Sequence, residues 1–206
     1  MVESTHGLGL GQRFAKRGFD LLGAAFGLVF TLWLILPAWL LASLDTSKNG
    51  FFTQDRVGRD GRVFRVIKIR TMRDVPGMDT TVTTGTDRRI TRLGRLWRKT
   101  KIDELPQLIN VLKGDMSFVG PRPDVPGYAD RLEGEDRIVL SVRPGITGPA
   151  TLKYRNEEKL LAEQENPRQY NDEVLWPDKV RLNREYVRKW SFGTDLRYIW
   201  KTIVSG

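Results

Sequence analysis

The chain has no cysteine and only one histidine, His6, among its 206 residues. Without cysteine it can form neither a disulfide bond nor a thiolate metal site. A single histidine in a glycine-rich N-terminal tail argues strongly against a Ser-His-Asp or Cys-His catalytic arrangement. Any acid–base or nucleophilic chemistry therefore falls to carboxylates, lysines or hydroxyl groups.

Acidic residues are outnumbered, with 25 Asp and Glu against 34 Lys and Arg. This excess of positive charge predicts an anionic partner, either nucleic acid, a lipid headgroup surface or a phosphorylated substrate. Charge alone does not choose among the three. The length is that of one domain with a substantial core, and it gives little reason to expect two.

Charged residues are absent from positions 21–44, which read LLGAAFGLVFTLWLILPAWLLASL. As a straight helix this segment would be about 36 Å long, enough to cross the hydrocarbon core of a bilayer. It is longer than the apolar core of a signal peptide, and no convincing A-x-A cleavage site follows it. The segment therefore predicts association with a membrane.

Pro37 leaves two arrangements of this segment open. If the helix breaks at Pro37, neither half is long enough to span, and the chain re-enters on the same face. A spanning helix that tolerates its proline is the alternative. Positive charge does not decide between them, because basic residues flank both ends. These residues are Arg13, Lys16 and Arg17 before the segment, and Lys48, Arg56, Arg59 and Arg62 after it.

The segments that follow predict a hairpin, a loop and a basic helix. Residues 51–70 have apolar and β-branched runs around Gly-Arg and Asp-Gly turn signals, which is typical of an antiparallel hairpin. Residues 74–87 are polar and predict a mobile loop. Residues 88–101 carry seven basic residues and no acid, with Ile90, Leu93 and Trp97 at helical spacing, which predicts an amphipathic helix.

Two neighbouring acids, Asp103 and Glu104, lie in the stretch KIDELPQL. Pro106 suits the first turn of a helix that runs to Gly114, so Asp103 is predicted near the N-cap and Glu104 on the first turn. From these positions both carboxylates can reach one hard cation from different directions. The plain alternative is an N-cap and a favourable first-turn acid that serve only the helix.

Arg122 lies in the turn GPRP, where two prolines restrict the backbone. A guanidinium held in this way is well suited to a phosphate group, which it can bind through two parallel hydrogen bonds. The turn RPGITG, with Arg143, repeats the pattern.

The stretch DELPQLINVLKGDMSFVGPRP closely resembles the signature of the bacterial sugar transferase family, the monotopic phosphoglycosyl transferases that act on polyprenyl phosphate. The resemblance covers nearly everything from Arg13 onward, through KRGFDLLGA, VFRVIKIRTM, SVRPGITGPA and DKVRLNREYVRKWSFGTDLRYIWKTI. It implies transfer of a sugar 1-phosphate from a UDP-sugar to a polyprenyl phosphate, usually undecaprenyl phosphate, with release of UMP. It also implies a monotopic protein at the cytoplasmic face of the bacterial inner membrane.

The resemblance assigns roles to individual residues. It implies that Asp103 is the nucleophile of a covalent phosphosugar intermediate, that Glu104 is its partner, and that both lie at a Mg²⁺ ion. The other implied residues are Arg98, Arg122 and Lys68 for substrate phosphate, and Arg143 and Thr147 for the nucleotide.

The implied fold is α/β, with a membrane-embedded re-entrant N-terminal helix, a small antiparallel hairpin or sheet and several interfacial amphipathic helices. The implied organisation is a flexible tail over residues 1–12, the re-entrant helix over 13–47 and a catalytic domain over 48–206. Many family members have a serine where Leu36 precedes Pro37, so the bend here must rely on the proline and on packing. Trp190 and Trp200 are expected at the membrane surface.

Two other classes of protein stay open at this point. A membrane-tethered nucleic-acid-binding module would use residues 88–101, but no aromatic platform or recognised nucleic-acid-binding motif accompanies them, so no nucleic acid is expected as a partner. A structural membrane scaffold would leave Asp103, Glu104 and Arg122 replaceable. The expected partners are the UDP-sugar, polyprenyl phosphate and membrane lipids, and a homo-oligomer remains open.

Overall fold

The computed structural model describes residues 8–75 and 87–204. His6 and most of the loop predicted over residues 74–87 lie outside this part of the chain, as do residues 1–7 of the predicted N-terminal tail. From residue 10 onward the chain is already helical, so the tail predicted to reach residue 12 is shorter. Arg13 belongs to the same helix as the apolar segment.

Helices and short strands follow one another along the described chain. In order they are α1 Leu10–Thr46, β1 Phe51–Val57, β2 Val63–Ile69, α2 Arg92–Thr100, α3 Gln107–Lys113, β3 Ser117–Val119, β4 Gly145–Thr147, α4 Pro149–Lys153, α5 Glu157–Ala162, α6 Pro167–Tyr170, α7 Trp176–Arg188 and α8 Phe192–Val204. Short 3₁₀ turns cover Arg59–Gly61, Ile102–Glu104, Ala129–Arg131 and Gly134–Ser141. The structure is therefore mainly helical with two small sheets.

The hairpin predicted over residues 51–70 is confirmed. Strands β1 and β2 pair antiparallel from Phe51 opposite Ile69 to Val57 opposite Val63. Asp60 and Gly61 close the turn with φ of 60° and 77°, in the left-handed region that tight hairpin connections use and that glycine and aspartate tolerate.

A second sheet, which the sequence did not predict, pairs β3 with β4 in parallel. The two backbones approach so closely that a Cβ atom on Gly145 would lie 2.1 Å from the backbone nitrogen of Gly120. Only glycine fits this position. The contact places the turn that carries Arg122 directly against the RPGITG segment.

Helix α1 is one continuous helix with Pro37 inside it, so the predicted interruption of the helix at Pro37 is not observed. Ile35 and Ala38, on either side of the proline, are buried against Ile69 of β2. Packing of the turns before and after Pro37 offsets the loss of the backbone hydrogen bond that the proline cannot donate.

One face of α1 packs against the rest of the protein along most of its length, and the other face is exposed and apolar. The buried positions recur at helical spacing and are Lys16, Asp20, Ala24, Ile35, Ala38 and Ala42. The exposed apolar residues include Phe14, Leu22, Phe26, Val29, Trp33, Leu36, Leu40 and Leu44. An apolar surface of this extent is typical of a lipid-facing helix, and α1 is the one described helix long and apolar enough to cross a membrane.

Helix α8 packs beside the start of α1 through the rings of Phe19 and Phe192, whose centroids are 5.3 Å apart. Its outer face exposes Leu196, Trp200 and Ile203 at helical spacing. Trp200 is exposed, and its place at a membrane surface stays a prediction. The indole of Trp190 instead packs in the core and hydrogen-bonds a buried acid, so the predicted surface role of Trp190 is not supported.

Candidate active site

The acid pair occupies a short turn between two helices. Asp103 and Glu104 lie in the 3₁₀ turn Ile102–Glu104, after Lys101 ends α2 with φ of 58° and before α3 begins. The N-cap of α3 is Pro106, so the prediction that Asp103 lies near the N-cap is wrong. Because Pro106 has no N–H and limits the backbone, the helix starts later and both carboxylates project from the turn.

Glu104 lies at the centre of a compact ionic cluster. Its Oε1 accepts hydrogen bonds from Lys68 Nζ at 3.2 Å and from Arg122 Nη2 at 3.0 Å. Burial alone would raise the pKa of Glu104, but the positive charges of Lys68, Arg122 and Lys101 hold it well below its usual range. Glu104 is therefore ionised and fixed in position.

Asp103 differs from its neighbour because it is buried without a full set of partners. The residue is 7% exposed, and its Oδ1 has no hydrogen-bond partner among the residues that the structure describes. Burial and then the negative charge of Glu104 raise the pKa of Asp103 to about 6, against the opposing effects of Lys68 and Arg98. A buried carboxylate oxygen without a donor is costly, and it is free to react or to bind a ligand.

Lys68 and Arg122 bring the positive charge from opposite sides. Lys68 comes from β2, and burial lowers its pKa while Glu104 opposes that change. Arg122 follows β3 between two prolines, and Glu104 raises its pKa. The Arg122 side chain remains 41% exposed, so it keeps donors for a ligand that enters from solvent. The structure thus brings Lys68 and Arg122 to the acid pair, as the sequence resemblance implies.

Arg98 lies near this cluster but points to other partners. It donates to Thr71 Oγ1 at 3.0 Å and to Glu158 Oε1 at 2.7 Å. Its charge still acts on the Asp103 carboxylate. A role for Arg98 in binding substrate phosphate therefore requires exchange of its contact with Glu158, and that role stays a prediction.

Arg143 and Thr147 lie apart from the acid pair. The Nε of Arg143 donates to the carbonyl of Gly114 at 2.8 Å. The hydroxyl of Thr147 is buried against that of Thr202, at 2.6 Å. The structure does not place either side chain at the Asp103 carboxylate, and a nucleotide-binding role for the two residues stays a prediction.

Two further charged residues extend the cluster, and the sequence patterns did not identify them as part of the site. Arg56, on β1, donates to the carbonyl of Pro123 at 3.1 Å, and burial, reinforced by Arg122, lowers its pKa to about 10. Burial raises the pKa of Asp124 to about 6, opposed by Lys179 and Arg56. Asp124 directly follows GPRP, so its position was a usable signal. No periodicity in the hairpin distinguished Arg56.

The acid pair also fits the magnesium ion that the sequence resemblance implies. Mg²⁺ is typically held by one or two carboxylates, with water and substrate phosphate completing its shell. Asp103 supplies an unpartnered carboxylate oxygen, and the second oxygen of Glu104 forms none of the hydrogen bonds to Lys68 and Arg122. Within the described residues there is no group of three or more histidine, cysteine or acidic side chains that could hold a metal ion.

Comparison with known proteins gives one consistent result. The profile of the family described as "Bacterial sugar transferase" matches residues 11–206. "Uncharacterized sugar transferase EpsL" of Bacillus subtilis (strain 168) is 38% identical over 188 residues, which is 91% of this chain and 85% of that protein. "UDP-glucose:undecaprenyl-phosphate glucose-1-phosphate transferase" of Caulobacter vibrioides is 34% identical over 194 residues, covering 92% of this chain and 68% of that protein.

Some relatives are much longer than this chain. "UDP-galactose-lipid carrier transferase" of Erwinia amylovora is 34% identical over 211 residues, which is 93% of this chain and 40% of that protein. The similarity to this relative thus concerns less than half of its length.

Proposed function

Because the chain belongs to the bacterial sugar transferase family, we propose that it transfers a sugar 1-phosphate from a UDP-sugar to a polyprenyl phosphate and releases UMP. The names of similar proteins that act on UDP-glucose and undecaprenyl phosphate support this reaction class. The observation that carries the proposal is the buried Asp103 carboxylate oxygen, which has no hydrogen-bond partner among the described residues and lies close to Lys68 and Arg122, the two cations held by Glu104.

In the proposed first step a carboxylate oxygen of Asp103 attacks the phosphorus that bears the sugar. A new oxygen–phosphorus bond forms, the phosphoanhydride bond breaks, and UMP leaves with the electron pair. An ionised carboxylate needs no general base, which suits a sequence with one histidine. The product is an aspartyl phosphosugar.

In the second step an oxygen of the polyprenyl phosphate attacks the same phosphorus. The Asp103 carboxylate leaves, and the lipid product carries the sugar on a diphosphate. One phosphoanhydride replaces another across the two steps, so no large driving force is required. Arg122 and Lys68 offset the negative charge on the phosphoryl group in both displacements. A bound Mg²⁺ would add further charge neutralisation at the phosphate oxygens.

The second carboxylate has a different proposed role. Glu104 holds Lys68 and Arg122 through one oxygen, so it positions both cations beside the nucleophile. Its other oxygen is available to the metal ion. Replacing Glu104 would therefore weaken phosphate and metal binding without removing the nucleophile.

We also propose that the protein is monotopic, and that α1 enters and leaves the cytoplasmic face through a bend at Pro37 that keeps the helix continuous. Lys16 near the start of α1 contacts Asp195, and Asp45 near its end contacts Arg73, so both ends meet the same polar domain. A helix that crossed the bilayer would carry one end to the opposite face. The exposed apolar side of α1 would then lie in the lipid of one leaflet.

Labelling tests this topology directly, because the chain has no cysteine of its own. Single cysteines at Gly11 and Asn49 should both react with an impermeant maleimide only from the cytoplasmic side. Reaction of the two positions from opposite sides would show a spanning helix and overturn the proposal.

A donor-only reaction tests the covalent mechanism. Incubation with the correct member of a UDP-sugar panel and Mg²⁺, without polyprenyl phosphate, should add one sugar phosphate to the peptide that contains Asp103, as read by mass spectrometry. Added acceptor should remove it. Asp103→Asn should give no adduct, whereas Glu104→Gln should give a slow adduct that higher Mg²⁺ partly restores. If no UDP-sugar reacts without acceptor, direct attack by the polyprenyl phosphate is the better mechanism.

A further inference from the structure

A second charged site lies outside the ionic cluster, in a small cavity of about 20 Å³ near the start of α1. Its walls come from α1, the hairpin turn and the segment before β4. The charged residues that line it, which define what we term the basic cavity, are Arg13, Lys16, Asp20, Arg59 and Arg143. It shares no residue with the cluster around Glu104.

Arg13 and Arg143 bring unused hydrogen-bond donors to the basic cavity. The Nε of Arg13 donates to the carbonyl of Leu8 at 2.7 Å, and that of Arg143 donates to the carbonyl of Gly114 at 2.8 Å. Their terminal Nη atoms have no partner within residues 8–75 and 87–204, and neither side chain forms an ion pair there. A guanidinium has five N–H donors, so each retains most of its capacity.

The other charges do not neutralise these two arginines. Lys16 is paired with Asp195 at 2.5 Å. Arg59 pairs only with its neighbour Asp60, and the two side chains are 41% and 58% exposed, which makes this a weak pair. Asp20 is the single acid of the basic cavity. Arg59 has Asp60 beside it, so Arg13 and Arg143 are left with Asp20 as the one acid that lines the basic cavity.

Repulsion among the arginines is visible at Arg143. Burial lowers its pKa, and the positive charges of Arg59 and Arg17 lower it further. Arg17 itself is hydrogen-bonded at the end of α3, where it donates to the carbonyls of Val111 and Leu112. Asp20 opposes the lowered pKa of Arg143, but cations that outnumber the nearby acids still favour the binding of an anion.

The cavity itself suits one water molecule rather than the anion. Its volume of about 20 Å³ is close to the minimum that holds one water. The buried Oδ2 of Asp20 has no partner among the described residues and can accept a hydrogen bond from such a water. The cavity is therefore too small for a phosphate group, which could contact the arginines only from the mouth of the cavity.

The surroundings of Arg13 identify the source of this anion. Leu10 and Phe14, beside Arg13 on α1, are 74% and 76% exposed. They continue the exposed apolar face of the helix toward its N-terminal end. The mouth of the basic cavity thus lies where a lipid-facing surface meets fixed positive charge, and an amphipathic anion satisfies both.

We propose that the guanidinium groups of Arg13, Arg59 and Arg143 bind the phosphate group of an anionic membrane phospholipid at the mouth of the basic cavity. Paired N–H groups of arginine match phosphate oxygens. The acyl chains of the lipid lie along Leu10 and Phe14. This site shares no residue with the cluster around Glu104, although Arg143 is also the residue that the resemblance implies for the nucleotide, and it would anchor the start of α1 at the headgroup level.

The test uses the full chain in neutral detergent, with phosphatidylglycerol added and bound lipid counted by native mass spectrometry. Arg13→Gln with Arg59→Gln should weaken binding by at least about tenfold, because charge-assisted hydrogen bonds are lost. The matched control is Arg62→Gln with Arg65→Gln, which removes the same charge from exposed positions on the same hairpin and should change binding by less than about twofold. Arg143 is left unchanged because it is also the implied nucleotide residue.

Three outcomes would overturn the proposal. They are unchanged lipid binding by the cavity variant, an equal loss in the control, and displacement of the lipid by an equal concentration of inorganic phosphate, which would show a site for free phosphate. Circular dichroism without lipid checks that the variants fold. If the cavity variant does not fold, Arg13→Lys with Arg59→Lys replaces it and should still weaken binding measurably, because lysine lacks the planar fork. Full binding by that variant would also overturn the proposal.

Discussion

Asp195 and Asp103 are both buried carboxylates, at 2% and 7% exposure, but their surroundings are opposite. Asp195 accepts hydrogen bonds from Lys16 at 2.5 Å, Tyr186 at 2.7 Å and Trp190 at 3.1 Å. Asp103 has an oxygen with no donor in the described part of the chain. The difference separates an acid that serves the fold from one that is kept available for a ligand.

The position of each acid explains its surroundings. Asp195 is in the first turn of α8, and its donors come from α1, from α7 and from the short link between α7 and α8. It therefore fastens the apolar helix to the end of the chain. Asp103 projects from a short turn, where two nearby cations, Lys68 and Arg122, are hydrogen-bonded to its neighbour Glu104. A carboxylate with hydrogen-bond donors for its oxygens stabilises the structure. A buried carboxylate with an unpaired oxygen lowers the stability, and that oxygen can still attack or bind a ligand.

The largest expected effect is on turnover. Asp103→Asn should reduce UMP release by at least about a thousandfold, because the neutral amide is a poor nucleophile. Its thermal unfolding should show no loss of stability. The measurement is a UMP-release assay with a UDP-sugar, undecaprenyl phosphate and Mg²⁺. Substantial turnover by this variant would place the nucleophile elsewhere.

Asp195→Asn should damage the fold instead. It removes the ion-pair partner of the buried Lys16 and leaves only the charge of Asp20 nearby, and breaking a buried ion pair by removing one partner costs about 3–5 kcal/mol. Denaturant unfolding in detergent measures the loss. The double variant Lys16→Met with Asp195→Leu should recover part of it. Wild-type stability in Asp195→Asn would remove the distinction between the two acids.

The pH dependence of stability should also distinguish Asp103 from Asp195. In the folded protein the pKa of Asp103 is about 6, above its ordinary value of 3.8, so the folded state binds a proton more tightly than the unfolded state. Stability should therefore fall by about 3 kcal/mol as pH rises from about 4 to 6.

This experiment is made with EDTA present, so that no metal ion stabilises the carboxylate. The matched variant Asp103→Asn should lack this part of the pH dependence and be more stable than the wild type above pH 6. An identical pH profile in the two proteins would show that burial does not disfavour the ionised form of Asp103.

The smallest expected effect is the loss of turnover when Arg122, one of the two cations that Glu104 holds, is replaced. Arg122→Lys keeps the charge but loses the planar fork, so turnover should fall about tenfold while membrane association stays unchanged. Arg62→Lys, on the exposed hairpin, is the matched control and should leave turnover near the wild-type value. Equal turnover in both variants would remove Arg122 from the proposed phosphate site.

Local patterns in the sequence were enough to predict several elements of the fold. The hairpin was predictable because its turn residues and β-branched strands are adjacent in the chain. Helix α3 ends at Gly114 with φ of 89°, where the sequence placed a C-terminal glycine. Ile90 was wrongly included in the amphipathic helix; it pairs with Met72 in an isolated bridge before α2 begins, a contact that helical spacing could not reveal.

The candidate site was predictable in part. Short motifs identified Asp103, Glu104, Lys68 and Arg122, and the structure brings these four together. Arg56 was missed because one arginine on a strand among many basic residues carries no distinguishing pattern. No local pattern identified Asp195 either, because its partner Lys16 lies 179 residues away along the chain.

The sequence by itself determined the apolar length of α1, the hairpin and the order of the motifs, because each depends on residues that are close neighbours in the chain. Tertiary structure alone decided that α1 continues through Pro37, that one face of α1 is covered by the domain, and which carboxylates are satisfied. Those properties depend on burial and on hydrogen-bond partners from distant segments. Folding brings these segments together, and no local pattern records the resulting contacts.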